Sequence, residues 1–264
     1  MQCAPPTALL SACEQVLQAP LWPSPLAFLR QEDALALRAS SRACRAAVAE
    51  HAWEDSSVVF SRIRGSLISW RRCFPHACAA NLSGHTRATS EDLLQLRGVE
   101  WLCMDGCRLV TDAGLKHLRG IRTLGIADCP GITDAGLAHL RGIHTLGMDG
   151  CTQITDAGLV HLRGIHTLGA FGCTAITDAG LAHLRGIRWL SMACNPQLTD
   201  AALVHLRGIN TLHMGGCTGV TDAGLVHLLG IRELRVEACP QLSDAALAQL
   251  KEGGGAVFRT RGRI

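Results

Sequence analysis

No stretch of this sequence approaches the roughly 18 consecutive apolar residues that a membrane-crossing helix requires, so no span and no membrane partner are expected. The opening Met1-Gln2-Cys3-Ala4-Pro5-Pro6 has no basic region ahead of an apolar stretch, which argues against a secretory signal. Charge of one sign is not in excess. The net charge is +3, too near neutral to point to nucleic acid by itself. No nucleophile–base arrangement, pair of catalytic acids or phosphate-cradling loop stands out, so neither catalysis nor a cofactor is expected. Aromatic residues are 4% of the chain, so a ring placed on a surface is conspicuous.

What is present in abundance is one hexad. Ile132 to Leu137 reads Ile-Thr-Asp-Ala-Gly-Leu and recurs at Ile154 to Leu159 and Ile176 to Leu181. Its Thr, or a Ser, stands at Thr111, Thr133, Thr155, Thr177, Thr199, Thr221 and Ser243, each 22 residues on, with a degenerate copy from Thr89. A fixed period in the twenties is the signature of a solenoid. In the unit Leu118 to Leu140, Leu124-Gly125-Ile126 alternates with period two and reads as a short strand. Thr133 caps a short helix, Asp134 sits at the positive end of its dipole, and Leu137 and Leu140 share one face. Gly142 then offers a left-handed stop. One such unit cannot bury its apolar edge. Stacked units share a continuous core, with their strands in a parallel sheet.

Ile121, Leu124, Ile126, Cys129, Ile132, Thr133, Asp134, Gly136, Leu137 and Leu140 resemble the cysteine-containing subclass of the leucine-rich repeat over about residues 79–252. The resemblance implies an α/β solenoid, a horseshoe of about eight 22-residue strand–helix units, with a small N-terminal all-α segment and a tail over 253–264. Within the tail, residues 256–259 read as one last strand.

Four rows of polar residues accompany the repeat. Cys107, Cys129, Cys151, Cys173, Cys217 and Cys239 suggest metal or redox chemistry at first sight, but Asn195 takes the same register, and Asn is a poor zinc ligand. The expectation is a thiol under each turn bonding a neighbour's backbone, in a reducing cytoplasm or nucleus. His117, His139, His161, His183, His205 and His227 form a second row. Neighbouring helices lie roughly 8–10 Å apart, too far for two rings to share one zinc at about 2 Å per bond. No metal site is therefore expected. Arg97, Arg119, Arg141, Arg163, Arg185 and Arg207 on the convex side and the aspartates at the helix starts are expected to form a solvated, mixed-charge surface.

Ahead of the repeats, residues 1–20 are an extension and 61–78 a linker or cap, in which Ser66 to Phe74 reads as a helix with Arg71 and Arg72 solvated. Between them, 21–60 has the texture of two or three short amphipathic helices outside the 22-residue period. Leu21 to Pro23, Leu26 to Leu29, Asp33-Ala34-Leu35, Cys44-Arg45 and Trp53 resemble an F-box. Trp22 interrupts the opening Leu-Pro, and the Trp usual shortly after Cys44 is missing. The resemblance implies docking through Pro23, Leu26, Leu29, Asp33 and Leu35 onto the adaptor subunit of a cullin–RING ubiquitin ligase. The chain would then be the substrate-recognition adaptor of an SCF-type complex. The alternative is a stand-alone interaction scaffold whose N-terminal helices only cover the solenoid's open end.

Recognition would fall on strand residues flanking the buried positions, which point to the concave face. This row varies while the rest of the unit repeats nearly verbatim. Trp101, Asp105, Asp149, Phe171, Trp189, His213, Glu233, Arg235 and Glu237 are the candidates for binding a protein substrate, with the line Gly125, Gly147, Gly169 as a shallow groove beside them.

Overall fold

The computed structural model describes residues 67–73 and 77–259. Nine strands lie in one parallel sheet in sequence order: β1 (Ala79–Asn81), β2 (Trp101–Cys103), β3 (Thr123–Gly125), β4 (Thr145–Gly147), β5 (Thr167–Gly169), β6 (Trp189–Ser191), β7 (Thr211–His213), β8 (Glu233–Arg235) and β9 (Ala256–Phe258). The register is the sequence period made spatial. Thr123, Leu124 and Gly125 face Thr145, Leu146 and Gly147, so equivalent residues of successive units stack in rows. The strand begins one residue earlier than the alternation suggests. Ile126 follows it and remains buried, its N–H bonded to the Gly147 carbonyl at 2.7 Å.

The segments that return the chain are helical and very short. They are a 3-10 turn (Asp92–Leu96), then α2 (Asp112–Leu115), α3 (Asp134–Leu137), α4 (Asp156–Leu159), α5 (Asp178–Leu181), α6 (Asp200–Val204), α7 (Asp222–Leu225) and the longer α8 (Asp244–Glu252). Most run on into one 3-10 turn, as α3 does over Ala138–Leu140. Thr133 is extended and its Oγ1 accepts from the Ala135 N–H at 3.3 Å, which makes it the expected cap. Gly142 stops the helix at φ +83°, a conformation that costs an L side chain energy. The hexad's own glycine has a different purpose. A Cβ on Gly136 would stand 2.9 Å from Leu115 Cδ1, so the helices of adjacent units approach as closely as they do because no side chain intervenes.

Leu124, Ile126, Cys129, Ile132, Leu137 and Leu140 are buried, and their counterparts continue the same core from end to end. Its N-terminal end is covered by α1 (Leu67–Cys73), which buries Leu67 and Trp70 in that core. One expectation fails here. Arg72 is exposed, but Arg71 is not simply solvated. Its guanidinium donates to the Ala77 and Arg97 carbonyls at 3.2 and 2.6 Å, tying α1 to the first units. Burial holds the Arg71 pKa below its ordinary value. At the other end β9 adds the last strand expected within residues 256–259. Among the described residues no helix is long and apolar enough to cross a membrane.

Candidate functional site

The central residue of each strand β2 to β8 is buried, and most of those beside it are partly or fully open on the inner face of the sheet. This places Trp101, Trp189, His213, Glu233 and Arg235 on that face, with Asp105, Asp149, Phe171 and Glu237 two residues beyond their strands. Phe171 is 47% exposed. The adaptor-binding candidates Pro23, Leu26, Leu29, Asp33 and Leu35 lie outside the described residues.

The candidates divide into two groups. Towards the C-terminal end, side chains from four adjacent strands touch in sequence. The Trp189 indole meets the His213 ring edge-on at 5.2 Å between centroids. His213 Nε2 is 3.8 Å from Glu233 Oε1, which accepts from Arg235 Nε at 2.8 Å. The Arg235 guanidinium lies 5.6 Å from the centroid of Phe258 on β9, a cation–π contact. Phe258 is 50% exposed. It belongs to this patch although it lies beyond the 22-residue register, in the stretch read as one last strand. Burial, then the nearby Arg235, keep the His213 pKa below its usual value, against an opposing pull from Glu233. The neutral ring therefore predominates at pH 7.

Asp105 and Asp149 behave differently. Asp105 Oδ1 accepts the Ala127 N–H at 2.8 Å, and Asp149 Oδ1 accepts the Phe171 N–H at 2.8 Å. Both carboxylates thus hold the backbone of the next unit. They also lie across the glycine line. A Cβ on Gly125 would be 2.9 Å from Asp105 Oδ1, and one on Gly169 would be 3.1 Å from Asp149 Oδ1. The shallow groove expected along Gly125, Gly147 and Gly169 is accordingly interrupted, and Gly169 itself is buried.

The cysteine row is structural. Cys129 Sγ donates to the Met104 carbonyl at 3.2 Å, and Cys107, Cys151, Cys173, Cys217 and Cys239 repeat the contact with a carbonyl 25 residues earlier. Asn195 makes the same bond through Nδ2 to the Ala170 carbonyl at 2.8 Å. Burial raises the thiol pKa values to about 11 for Cys107 and Cys151 and about 12 for Cys129, Cys173 and Cys217. Protonated donors are poor metal ligands and nucleophiles. Among the described residues no group of three or more His, Cys, Asp or Glu is arranged to hold a metal ion.

The charged rows require a correction. The helix-start aspartates from Asp112 to Asp222 do not pair with the arginine row, although Asp244 accepts from Arg259 Nη1 at 2.6 Å. Asp156 Oδ1 accepts the Thr177 N–H at 2.8 Å and Oδ2 accepts the Thr177 hydroxyl at 2.6 Å. The same double bond joins Asp112 to Thr133, Asp134 to Thr155, Asp178 to Thr199 and Asp200 to Thr221. The arginines stand at the opposite end of the helices, exposed, where Arg141, Arg163 and Arg207 contact Nδ1 of His161, His183 and His227 one unit on. The period makes stacking inevitable, but it does not say which polar neighbours bond. A further row at the strand entries, Arg122, His144, His166, Arg188, Asn210 and Arg232, has no dominant residue type to mark it in the sequence. Within it the His144 and His166 rings stack at 4.3 Å and 10°.

No family model and no curated protein matches the chain. Solved structures do. An internalin C2 from Listeria monocytogenes aligns at 27% identity and TM-score 0.50, over 64% of this chain and 75% of that one. The receptor of a TLR13–ssRNA13 complex aligns at 18% identity and TM-score 0.50, over 61% of this chain but 26% of the receptor chain. A yeast Rad7–Elc1 complex aligns over 74% of this chain and 72% of the matched chain, at 15% identity and TM-score 0.47, too low to bear on function. With the 22-residue strand–helix units and the parallel sheet, the internalin and TLR13 likenesses establish an α/β leucine-rich-repeat solenoid.

Proposed function

We propose that the chain is a protein-recognition scaffold that binds its partner on the inner face of the sheet and catalyses nothing itself. The observation that carries this is the continuous patch Trp189–His213–Glu233–Arg235–Phe258. It sets aromatic rings and a guanidinium, the side chains most often dominant at interfaces, side by side on an accessible face.

We propose further that residues 21–60 dock onto the adaptor subunit of an SCF-type cullin–RING ligase through Pro23, Leu26, Leu29, Asp33 and Leu35, which makes the bound partner a substrate for ubiquitin transfer. The motif residues support this reading. So does the N-terminal end of the core, where α1 already buries Leu67 and Trp70 against the first units. The ligase machinery places the complex in the cytoplasm or nucleus.

Co-purification with the adaptor subunit, comparing the intact chain with a Leu26→Asp, Leu29→Asp double variant, separates the readings. Retention by the intact chain and loss in a variant with unchanged circular dichroism supports the ligase role. No retention by either leaves the stand-alone scaffold.

A further inference from the structure

The solenoid separates its charges onto two opposite edges. The arginine row from Arg97 to Arg207 ends the helical segments, and the row Arg122, His144, His166, Arg188, Asn210, Arg232 opens the strands, so the two flank the same edge. Every arginine in both rows is exposed, and none forms an ion pair among the described residues. From Arg119 to Arg232 neither row contains a carboxylate. The helix-start aspartates lie at the far end of segments about seven residues long, roughly 10 Å away at 1.5 Å per residue, with their oxygens already committed to threonines.

The strip is not uniform along its length. Between Arg185 and Arg207 it opens into a depression of about 380 Å³, lined also by Gly186, Val204 and His205. Here the arginine–histidine contact seen in neighbouring units is absent, and His205 Nδ1 is buried without a hydrogen-bond partner.

We infer that this edge is a second binding surface, distinct from the inner face, for an extended acidic polypeptide segment, one carboxylate of which enters the depression between Arg185 and Arg207. Guanidinium groups bind carboxylates through paired, charge-assisted hydrogen bonds, and Arg185 and Arg207 flank the depression from either side. Dimensions favour a polypeptide. Side chains on one face of an extended chain recur every 6.6–6.8 Å or so, between the spacing of about 4.8 Å at the strands and that of about 8–10 Å at the helices. A nucleic-acid duplex, with grooves about 12 and 6 Å wide, would carry its second line of phosphates across to the aspartate row, within a Debye length of about 8 Å. A single nucleic-acid strand would want aromatic platforms, and the rings in these rows are histidines alone.

The test is fluorescence anisotropy of a short fluorescein-labelled oligo-glutamate, titrated with the full chain at low and at raised salt. It is compared with an Arg185→Ala, Arg207→Ala variant and with a Thr152→Glu, Gln153→Glu variant. The second changes the net charge equally, at exposed positions on the aspartate side. Circular dichroism checks both folds. The expected result is binding that weakens with salt, falls about tenfold in the arginine variant and changes less than about twofold in the other. Three results overturn the inference: no binding of oligo-glutamate, equal loss in both variants, or tighter binding of labelled duplex DNA with the same arginine dependence, which would make the edge a nucleic-acid surface. None of these touches adaptor docking or the inner-face patch, so failure here is distinguishable from failure of the proposed function.

Discussion

Replacing Asp156 by Ala deletes two hydrogen bonds between adjacent units, to the Thr177 N–H and to its hydroxyl. Bonds to a charged acceptor are worth about 1.5–3 kcal/mol when shielded from water. Thr177 is exposed and Asp156 half-buried, so water replaces part of what is lost, and about 1 kcal/mol per bond is the appropriate figure. The expected cost of Asp156→Ala is therefore about 2 kcal/mol, measured as the shift in urea midpoint by circular dichroism at constant slope. Asp156→Asn keeps an acceptor for the N–H and an amide that can donate to the Thr177 hydroxyl oxygen, so it should cost about 1 kcal/mol or less. A cycle with Thr177→Val isolates the hydroxyl bond, with an expected coupling of about 1 kcal/mol. Because the geometry repeats, Asp134→Ala against Thr155→Val should give the same values. A cost below about 0.5 kcal/mol for Asp156→Ala, or no coupling, would refute the claim that this ladder binds unit to unit and return the aspartates to a merely solvated role.

Asn195→Leu leaves the Ala170 and Met192 carbonyls without their Nδ2 donor and should destabilise by about 2–4 kcal/mol, while Asn195→Cys should stay within about 1 kcal/mol of the parent in the same urea assay. Asp128, Cys194 and Ala238 have φ of 53°, 59° and 51° where other units place glycine. Ala238→Gly should therefore raise stability by about 1 kcal/mol, since a left-handed Ala is strained by about that much. The raised thiol pKa values mean that the folded state prefers the protonated form. Their contribution is complete below the unfolded thiol pKa, near 9, and is lost as pH rises towards 11–12, so urea midpoints should fall steeply between pH 9 and 11. The opposite sign applies at Asp222, whose carboxyl is held below its ordinary range by hydrogen bonds from Ser243. Its contribution is present above pH about 4 and disappears on acidification, an effect that Asp222→Asn should flatten in the acid limb of the stability profile.

Of the candidate site, the positions were legible and the partnerships were not. Period-two alternation puts Trp189, His213 and Glu233 on one face once the strand register is known, and the 22-residue step supplies that register. It does not reveal that His213 lies edge-on to Trp189, or that Asp105 and Asp149 bend across Gly125 and Gly169 to hold the next unit. Those outcomes depend on side-chain torsions and on which backbone N–H is left unbonded, and neither has a signature in a single repeat. The same limit explains the aspartates. Opposite charges seven residues apart in every unit look like a mixed surface until the helical segment separates them by its own length. Nor does the repeat say what sets the spacing of helix on helix. Gly136 looks like a composition choice in sequence and becomes a contact distance only when Leu115 of the preceding unit is placed against it.

The sequence by itself determined the solenoid, the turn at Gly142, the buried rows and the structural purpose of the cysteines. A strict period forces equivalent residues into equivalent surroundings, and Asn195 could replace a thiol only if the thiol served as a hydrogen-bond donor. Tertiary structure alone decided the aspartate–threonine ladder, the patch completed by Phe258 and the division of charge between the two edges. Each is a relation between neighbouring units, set by the distance at which backbones stack and by which donors and acceptors that stacking leaves in reach.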